Sequence, residues 1–430
     1  MDPSKTALKL SWMVAAILAL LPFHALFTTW AGSNFGHLDA WRVWKEILLL
    51  LAIPPILWLI WRAPELRKWL KQSWIARLFG LYVVLHLLLG TWALAQNEVN
   101  ATAFIYSLIV SLRFIGFFLL CAVIVSQNDF LRRHWQKLLL LPAAAVIIFG
   151  LIQKFLLPYD FLRHFGYGKD TIVAYQTVDS NLDYRRIQSS LRGANPLGAY
   201  LVLIIPALGL SLQKTRVWRW LGLLGGLVVL LFSYSRSAWL GLVAAVASLR
   251  GVTLKTFNFS YRTIIVVLLL LALLGGGFFL TNKSDDAQRT IFHTSDESVA
   301  SSSSNADRLA SMKAGTKDII RQPLGHGPGT AGPASFRNDQ PARISENYFL
   351  QIGQEVGIAG IAIFVAICVL VGRELWRHRS EQLAKILLAS LVGITFVNLL
   401  SHAWTDDTLA YLWWGMAGIC LAPRLVKDKH

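Results

Sequence analysis

Apolar runs of about 20 residues recur along almost the whole chain, separated by short polar breaks. Runs of that length cross a bilayer as helices. About twelve can be drawn: 10–30, 45–61, 76–96, 102–126, 137–157, 195–213, 217–233, 237–249, 263–281, 346–372, 383–400 and 408–423. The eighth is short. The first has weak signal-peptide character, but Trp12 and the lack of a clean small-residue cleavage site argue that it stays. The pattern predicts an all-α integral membrane protein, since helices satisfy their own backbone hydrogen bonds in lipid.

One interruption stands out. Residues 282–344 are polar, and apolar character returns only after Ser345-Glu346-Asn347-Tyr348. A connection this long is seldom idle. It divides the chain into residues 1–281 with nine helices and an outer loop at 158–194, the large loop 282–344, and residues 345–430 with three helices and a tail. Inside the loop, Ser304 or Asn305 caps an expected helix over 305–320, with Leu309, Met312, Thr316, Ile319 and Ile320 on one face. Pro323 and Gly325-His326-Gly327-Pro328-Gly329 end it.

Composition fits a membrane class: 55% of residues are apolar and 15% charged, against roughly 25% charged in soluble proteins. The formal charge of +17 is a topology signal. Basic residues crowd alternate breaks, as in Arg62, Arg67, Lys68 and Lys71, in Lys214, Arg216 and Arg219, and in Arg373, Arg377 and Arg379. By the positive-inside rule both termini are cytoplasmic, and 158–194 and 282–344 lie outside the cytoplasmic membrane. No nucleic-acid partner is needed to explain the basicity. Cys121, Cys368 and Cys420 all fall in expected helices, away from oxidising loops.

Ionisable residues gather on the expected outer side: Arg185, Arg186 and Arg192 before Asn195-Pro196, Arg236 in Ser233-Tyr234-Ser235-Arg236-Ser237, and Arg308 on the loop helix. Glu346 tops the tenth helix, and His402, Asp406 and Asp407 fill the last outer turn. Fixed arginines suit a phosphate-bearing ligand, because guanidinium forks onto phosphate oxygens. A nearby carboxylate can take a proton from a hydroxyl. Each has a plainer reading. Arginines at helix ends anchor by snorkelling, Glu346 meets a helix dipole, and the glycine run is a turn rather than an anion nest. His402 with Asp406 and Asp407 reads as a hydrogen-bonded turn, not a metal site. Arg113, mid-helix, is paired or functional by default.

The span from about Arg186 to Gly360 resembles the O-antigen ligase and polymerase superfamily of bacterial membrane glycosyltransferases. Four patterns carry the likeness. They are Arg186-Ile187-Gln188-Ser189-Ser190-Leu191-Arg192-Gly193-Ala194-Asn195-Pro196, Ser235-Arg236-Ser237-Ala238-Trp239-Leu240-Gly241, and Arg308 with Pro323-Leu324-Gly325-His326-Gly327-Pro328-Gly329-Thr330. The last is Glu346-Asn347-Tyr348 followed, after a spacer, by Gly357-Ile358-Ala359-Gly360. The ligases resembled here have histidine where this chain has Glu346, and other members, including chain polymerases, have Glu-Asn.

The resemblance implies a GT-C-like fold and a metal-independent, cofactor-free, inverting transfer. A glycan would move from undecaprenyl diphosphate to a sugar hydroxyl on a lipid- or glycan-bearing acceptor. It gives catalytic roles to Glu346, Arg186 and Arg236. Substrate-binding roles fall to Arg192, Arg308, Asn347, His402 and Asp406. A lipid-linked glycan flippase and a non-catalytic envelope scaffold are the other classes. A one-sided arrangement of acid and arginines disfavours transport.

Overall fold

A computed structural model describes residues 2–178, 181–212, 215–253 and 304–425. The expected ninth helix at 263–281 and the first third of the long polar loop lie outside the described residues.

The described chain is mostly helical. Among the described residues, eight helices are long and apolar enough to cross a membrane, the first being the continuous span Pro3–Phe35. That span is α1 (Pro3–Leu20) and α2 (His24–Phe35), joined by a 3₁₀ turn at Leu21–Phe23. Pro22 sits in that turn, where its missing N–H breaks the helical ladder. A short α3 (Leu38–Arg42) leads to α4 (Trp44–Arg62), amphipathic α5 (Pro64–Gln72), α6 (Trp74–Ala95), α7 (Ala101–Gln127) and α8 (Phe130–Phe155). Then come α9 (Ala194–Ser211), α10 (Arg216–Phe232), α11 (Arg236–Thr253), α12 (Ser304–Arg321), α13 (Tyr348–Arg377), α14 (Gln382–Leu399) and α15 (Asp407–Leu421). Every expected apolar run within the described residues coincides with a helix.

The helical architecture carries one small addition. Loop 158–194 contains an antiparallel pair, β1 (Gln176–Val178) and β2 (Asn181–Arg186), with Gln176 opposite Arg186. Thr177 and Val178 favour extended backbone, and the short polar β2 carries no helical periodicity.

The interior is built from α7, α9, α14 and α15, whose side chains include the fully buried Trp413, Trp414 and Phe117. Helix contacts are close where glycines meet. A Cβ on Gly393 of α14 would lie 2.4 Å from the Gly241 carbonyl oxygen of α11. Small residues let membrane helices approach in this way.

The loop helix α12 runs Ser304–Arg321 and buries only part of the face drawn from the sequence. Ile319 is buried, whereas Leu309 and Ile320 are exposed. Docking is set instead by Gly315, whose added Cβ would come within 3.0 Å of Ser345, and by polar contacts from Asp318. Gly315 and Asp318 join Ile319 on the buried side.

Helix α13 is kinked at Val356 and Gly357, the latter at φ +70°. The glycine run fits into the kink. His326 N–H donates to the Gln354 carbonyl (2.8 Å), Gly327 N–H to the Glu355 carbonyl (2.8 Å), and Ile358 N–H to the Pro323 carbonyl (2.9 Å). Backbone groups freed by the kink are thus satisfied by the loop.

Candidate functional site

The arginine side of the site is a laced junction. Arg186, the last residue of β2, donates from Nε to the Ser233 carbonyl (2.9 Å) and from Nη2 to Asn195 Oδ1 (2.6 Å). Ile187 N–H donates to the Phe232 carbonyl. The segment beyond it is pinned by its serines. Ser189 Oγ donates to the Val146 carbonyl (2.7 Å) and Ser190 Oγ to the Pro22 carbonyl (2.7 Å), while Ser189 N–H reaches Gln153 Oε1 (2.8 Å). Gly198 allows α9 to touch the start of α11, since a Cβ there would lie 2.7 Å from Ser235 Cβ. Arg236 therefore opens α11 beside the Asn195 end of α9.

Three arginines converge. Burial, then the charges of Arg236 and Arg308, push the Arg186 guanidinium down to about 10. It is still cationic at neutral pH, but its like-charged neighbours raise the cost of that charge. An anion placed among them lowers that cost.

The carboxylate side comes from the end of the polar loop. Arg308 Nη2 on α12 lies 3.1 Å from Glu346 Oε2, and both side chains keep partial solvent access, 27% and 37%. Glu346 has φ +52°, as Tyr234 (+50°) and Ser189 (+52°) do. Three of the five non-glycine residues with positive φ among those described thus flank the candidate site. Such backbone is held only by its surroundings and clusters at functional positions. Asn347 supplies part of that hold. Its Oδ1 accepts from Leu350 N–H (3.0 Å) as the cap of α13, and its Nδ2 donates to the Leu399 carbonyl (2.9 Å). Tyr348 N–H donates to the Ser401 carbonyl (3.2 Å). These bonds tie Glu346 to the turn carrying His402. Burial holds the His402 imidazole below its ordinary value. Glu346 opposes this, while Arg192 and Arg308 add to it.

The glycine run is not an open anion nest. Its N–H groups at 326 and 327 go to α13 carbonyls, and Gly329 N–H donates to Glu355 Oε1 (2.9 Å). Ser107 Oγ gives that carboxylate a second bond at 2.9 Å. Glu355 carried no special signal in the sequence beyond an acid in an apolar run. Asp318 fixes α12 from the other side, accepting from Gln354 Nε2 (3.0 Å) and pairing with His326 (3.0 Å) and Arg343 (3.5 Å).

The structure thus brings Arg186, Arg236, Arg308, Glu346 and His402 together from separate segments. Three expected residues do something else. Asn347 spends its amide on the cap just described. Asp406 is buried and caps α15 through Leu409 N–H (3.1 Å). Arg192 lines a neighbouring cavity. The expected turn of His402, Asp406 and Asp407 is split. Asp407 pairs with Lys45 (2.9 Å) and His24 (3.0 Å), and Lys45 also meets Glu46 at 3.2 Å. Arg113 finds its partner in the Thr405 carbonyl. Sequence reasoning missed this network, although Lys45-Glu46 at the head of an apolar run was a visible cue.

No curated protein matches the chain. A family model described as O-antigen ligase matches residues 220–365, about a third of the chain. That segment holds Arg236, Arg308, Glu346, Asn347 and the kink at Gly357, while Arg186 and His402 are contributed from outside it. Over residues 220–365 the chain is thus similar to the O-antigen ligase family, which supports a place in the O-antigen ligase and polymerase superfamily.

Proposed function

We propose that the protein is an O-antigen ligase-like glycosyltransferase, moving a glycan from undecaprenyl diphosphate to an acceptor sugar hydroxyl at the outer face of the cytoplasmic membrane. One observation carries the reading: Glu346 pairs with Arg308 where Arg308 and Arg236 both bear on Arg186. Guanidinium groups gathered in one place suit a diphosphate, and the adjacent carboxylate suits a hydroxyl proton.

In this reading Arg186 and Arg236 hold the diphosphate, with Arg308 in support. Glu346 takes the acceptor proton as the acceptor oxygen bonds to the anomeric carbon. The carbon–oxygen bond to phosphate breaks on the opposite face, and its electron pair leaves with the diphosphate. The anomeric centre inverts. The arginines stabilise the leaving charge, as preorganised donors do, so no metal is needed for that task. Donor phosphate draws Arg308 away from Glu346 and frees the carboxylate as base. Asn347 works indirectly, by fixing the positive-φ backbone at Glu346. Both termini face the cytoplasm, in keeping with the basic breaks.

The test is transfer by purified protein with a lipid-linked glycan and candidate acceptors. Glu346→Gln should lower transfer by roughly 10²–10⁴-fold, the usual worth of a general base, while donor still binds. Full transfer by that variant would remove Glu346 from the chemistry. The Glu346-Asn347 pair favours a second reading, a surface polysaccharide polymerase of the same superfamily. A ladder of chain lengths lost on deletion marks the polymerase, and unattached full-length chains mark the ligase.

A further inference from the structure

A second site is formed where an apolar groove runs into a charged cavity that does not include Glu346. The groove lies between α4 and α7, both candidate membrane spans. It has a volume of about 420 Å³ and is walled by Leu50, Ile53 and Leu57 of α4 and by Leu119 and Val123 of α7. Two sequence features make it concave. Pro54 and Pro55 sit inside α4, where they leave carbonyls one turn back without helical donors and disturb the ladder. Opposite them, Gly116 lines the groove, and a Cβ built there meets nothing within 4 Å. Along α4 the groove extends from Glu46 to Ile60, roughly 21 Å at about 1.5 Å per residue. That length suits an extended hydrocarbon chain.

At its Glu46 end the groove shares Glu46, Ile109 and Arg113 with the cavity, which has a volume of about 190 Å³. Four guanidinium groups line the cavity: Arg42, Arg113, Arg192 and Arg337. Their acid partners are few. Arg42 and Arg337 share Asp39, each at a long 3.4 Å. Asp407 and Glu46 face Arg113 but also pair with Lys45, at 2.9 and 3.2 Å. Arg113 Nε is buried with no hydrogen-bond partner among the described residues. A buried donor left open costs free energy until something accepts from it. An anion whose tail lies in the groove would do so.

We propose that this groove and cavity bind a lipid with a phosphate headgroup, its chain against Gly116 and its phosphate among Arg113, Arg192 and Arg337. The charge of the cavity selects phosphate over a zwitterion, and the groove selects a lipid over free phosphate. Arg192 also bears on His402, so the headgroup lies next to the transfer site. The inference does not rest on the transfer reading. Joined to it, the cavity seats a second lipid beside the donor held at Arg186.

The test is binding of fluorescent phosphatidic acid to the purified full-length protein in detergent, with phosphatidylcholine and inorganic phosphate as competitors. Gly116→Leu fills open space and should weaken phosphatidic acid binding at least tenfold at an unchanged unfolding temperature. Should that variant not fold, Leu57→Trp fills the same groove from a 60% exposed position. Arg192→Gln with Arg337→Gln should also weaken binding at least tenfold. Unchanged binding in both groove-filling variants overturns the proposal. So does competition by phosphatidylcholine equal to that of phosphatidic acid, which leaves the arginines no role. Full competition by inorganic phosphate at the same concentration removes the groove from the site. The readout is lipid binding, so its failure leaves the transfer reading untouched, and loss of transfer in Glu346→Gln leaves this site untouched.

Discussion

Arg308 Nη2 sits 3.1 Å from Glu346 Oε2, joining the loop helix to the head of α13 across an otherwise polar junction. Partly exposed pairs of this kind contribute little to stability, about 1 kcal/mol or less. The pair is better read as a latch that a stronger anion can open. Glu346→Gln should therefore leave donor affinity unchanged or tighter, because Arg308 is released toward phosphate. Arg308→Gln should weaken donor binding roughly tenfold, as for loss of a charge-assisted hydrogen bond. Titration of both single variants and the double variant checks this. Tenfold weaker donor binding in Glu346→Gln would sink the latch.

Arg186 depends on its fork. Its two nitrogens reach Ser233 and Asn195 in different helical junctions, which a lysine ammonium cannot copy. Arg186→Lys keeps the charge yet should weaken donor binding by roughly tenfold or more, with transfer falling in step. Wild-type affinity in that variant would show that charge alone suffices.

Much of this was legible in the sequence, for reasons that differ by residue. The membrane helices follow from apolar length, which bilayer thickness sets directly. Arg186, Arg236, Arg308 and Glu346 were legible because charges bordering apolar runs are costly without a task. Asn347 and Asp406 have a structural task that the sequence left open. An amide or carboxylate ahead of a helix reads equally as ligand-binder or cap, and only the bonds to Leu350 and Leu409 distinguish them. The Lys45–Asp407 pair joins residues hundreds of positions apart, a distance no local pattern encodes. The buried face of α12 was missed because Gly315 and Asp318 join Ile319 in the contact, while Leu309 and Ile320 stay exposed.

Gly357 should tolerate no side chain. Its φ of +70° with ψ −171° falls in a region open almost only to glycine, and a Cβ would lie 2.2 Å from the Pro323 carbonyl oxygen. Gly357→Ala should destabilise the protein by about 3 kcal/mol, from strain and loss of the loop-to-kink bonds. Thermal unfolding in detergent measures it. The neighbouring Ala359→Gly exchange serves as a control for helix propensity, about 1 kcal/mol. Equal effects at the two positions would refute the special role of the kink.

Asp406 offers a test whose sign depends on pH. Burial, and then the charge of Asp407, raise its carboxyl to about 6, against the pull of the Leu409 hydrogen bond, Arg192 and Arg113. The folded protein therefore holds a proton there that the unfolded chain, with an ordinary carboxyl near 3.9, releases earlier. The resulting stability is fully present below about 4 and is lost as pH rises through about 6. At pH 8 the buried carboxylate is a net cost. Asp406→Asn keeps an oxygen for the Leu409 cap and removes the charge, so it should raise stability at pH 8 by about 3 kcal/mol at most. At pH 4 the same exchange should change little. Unfolding temperatures of the two proteins at both values decide the matter. If Asp406→Asn is less stable at pH 8, the carboxylate is engaged with Arg192 or Arg113 more strongly than with its own burial. Its assignment then returns to the charged site rather than to the helix cap.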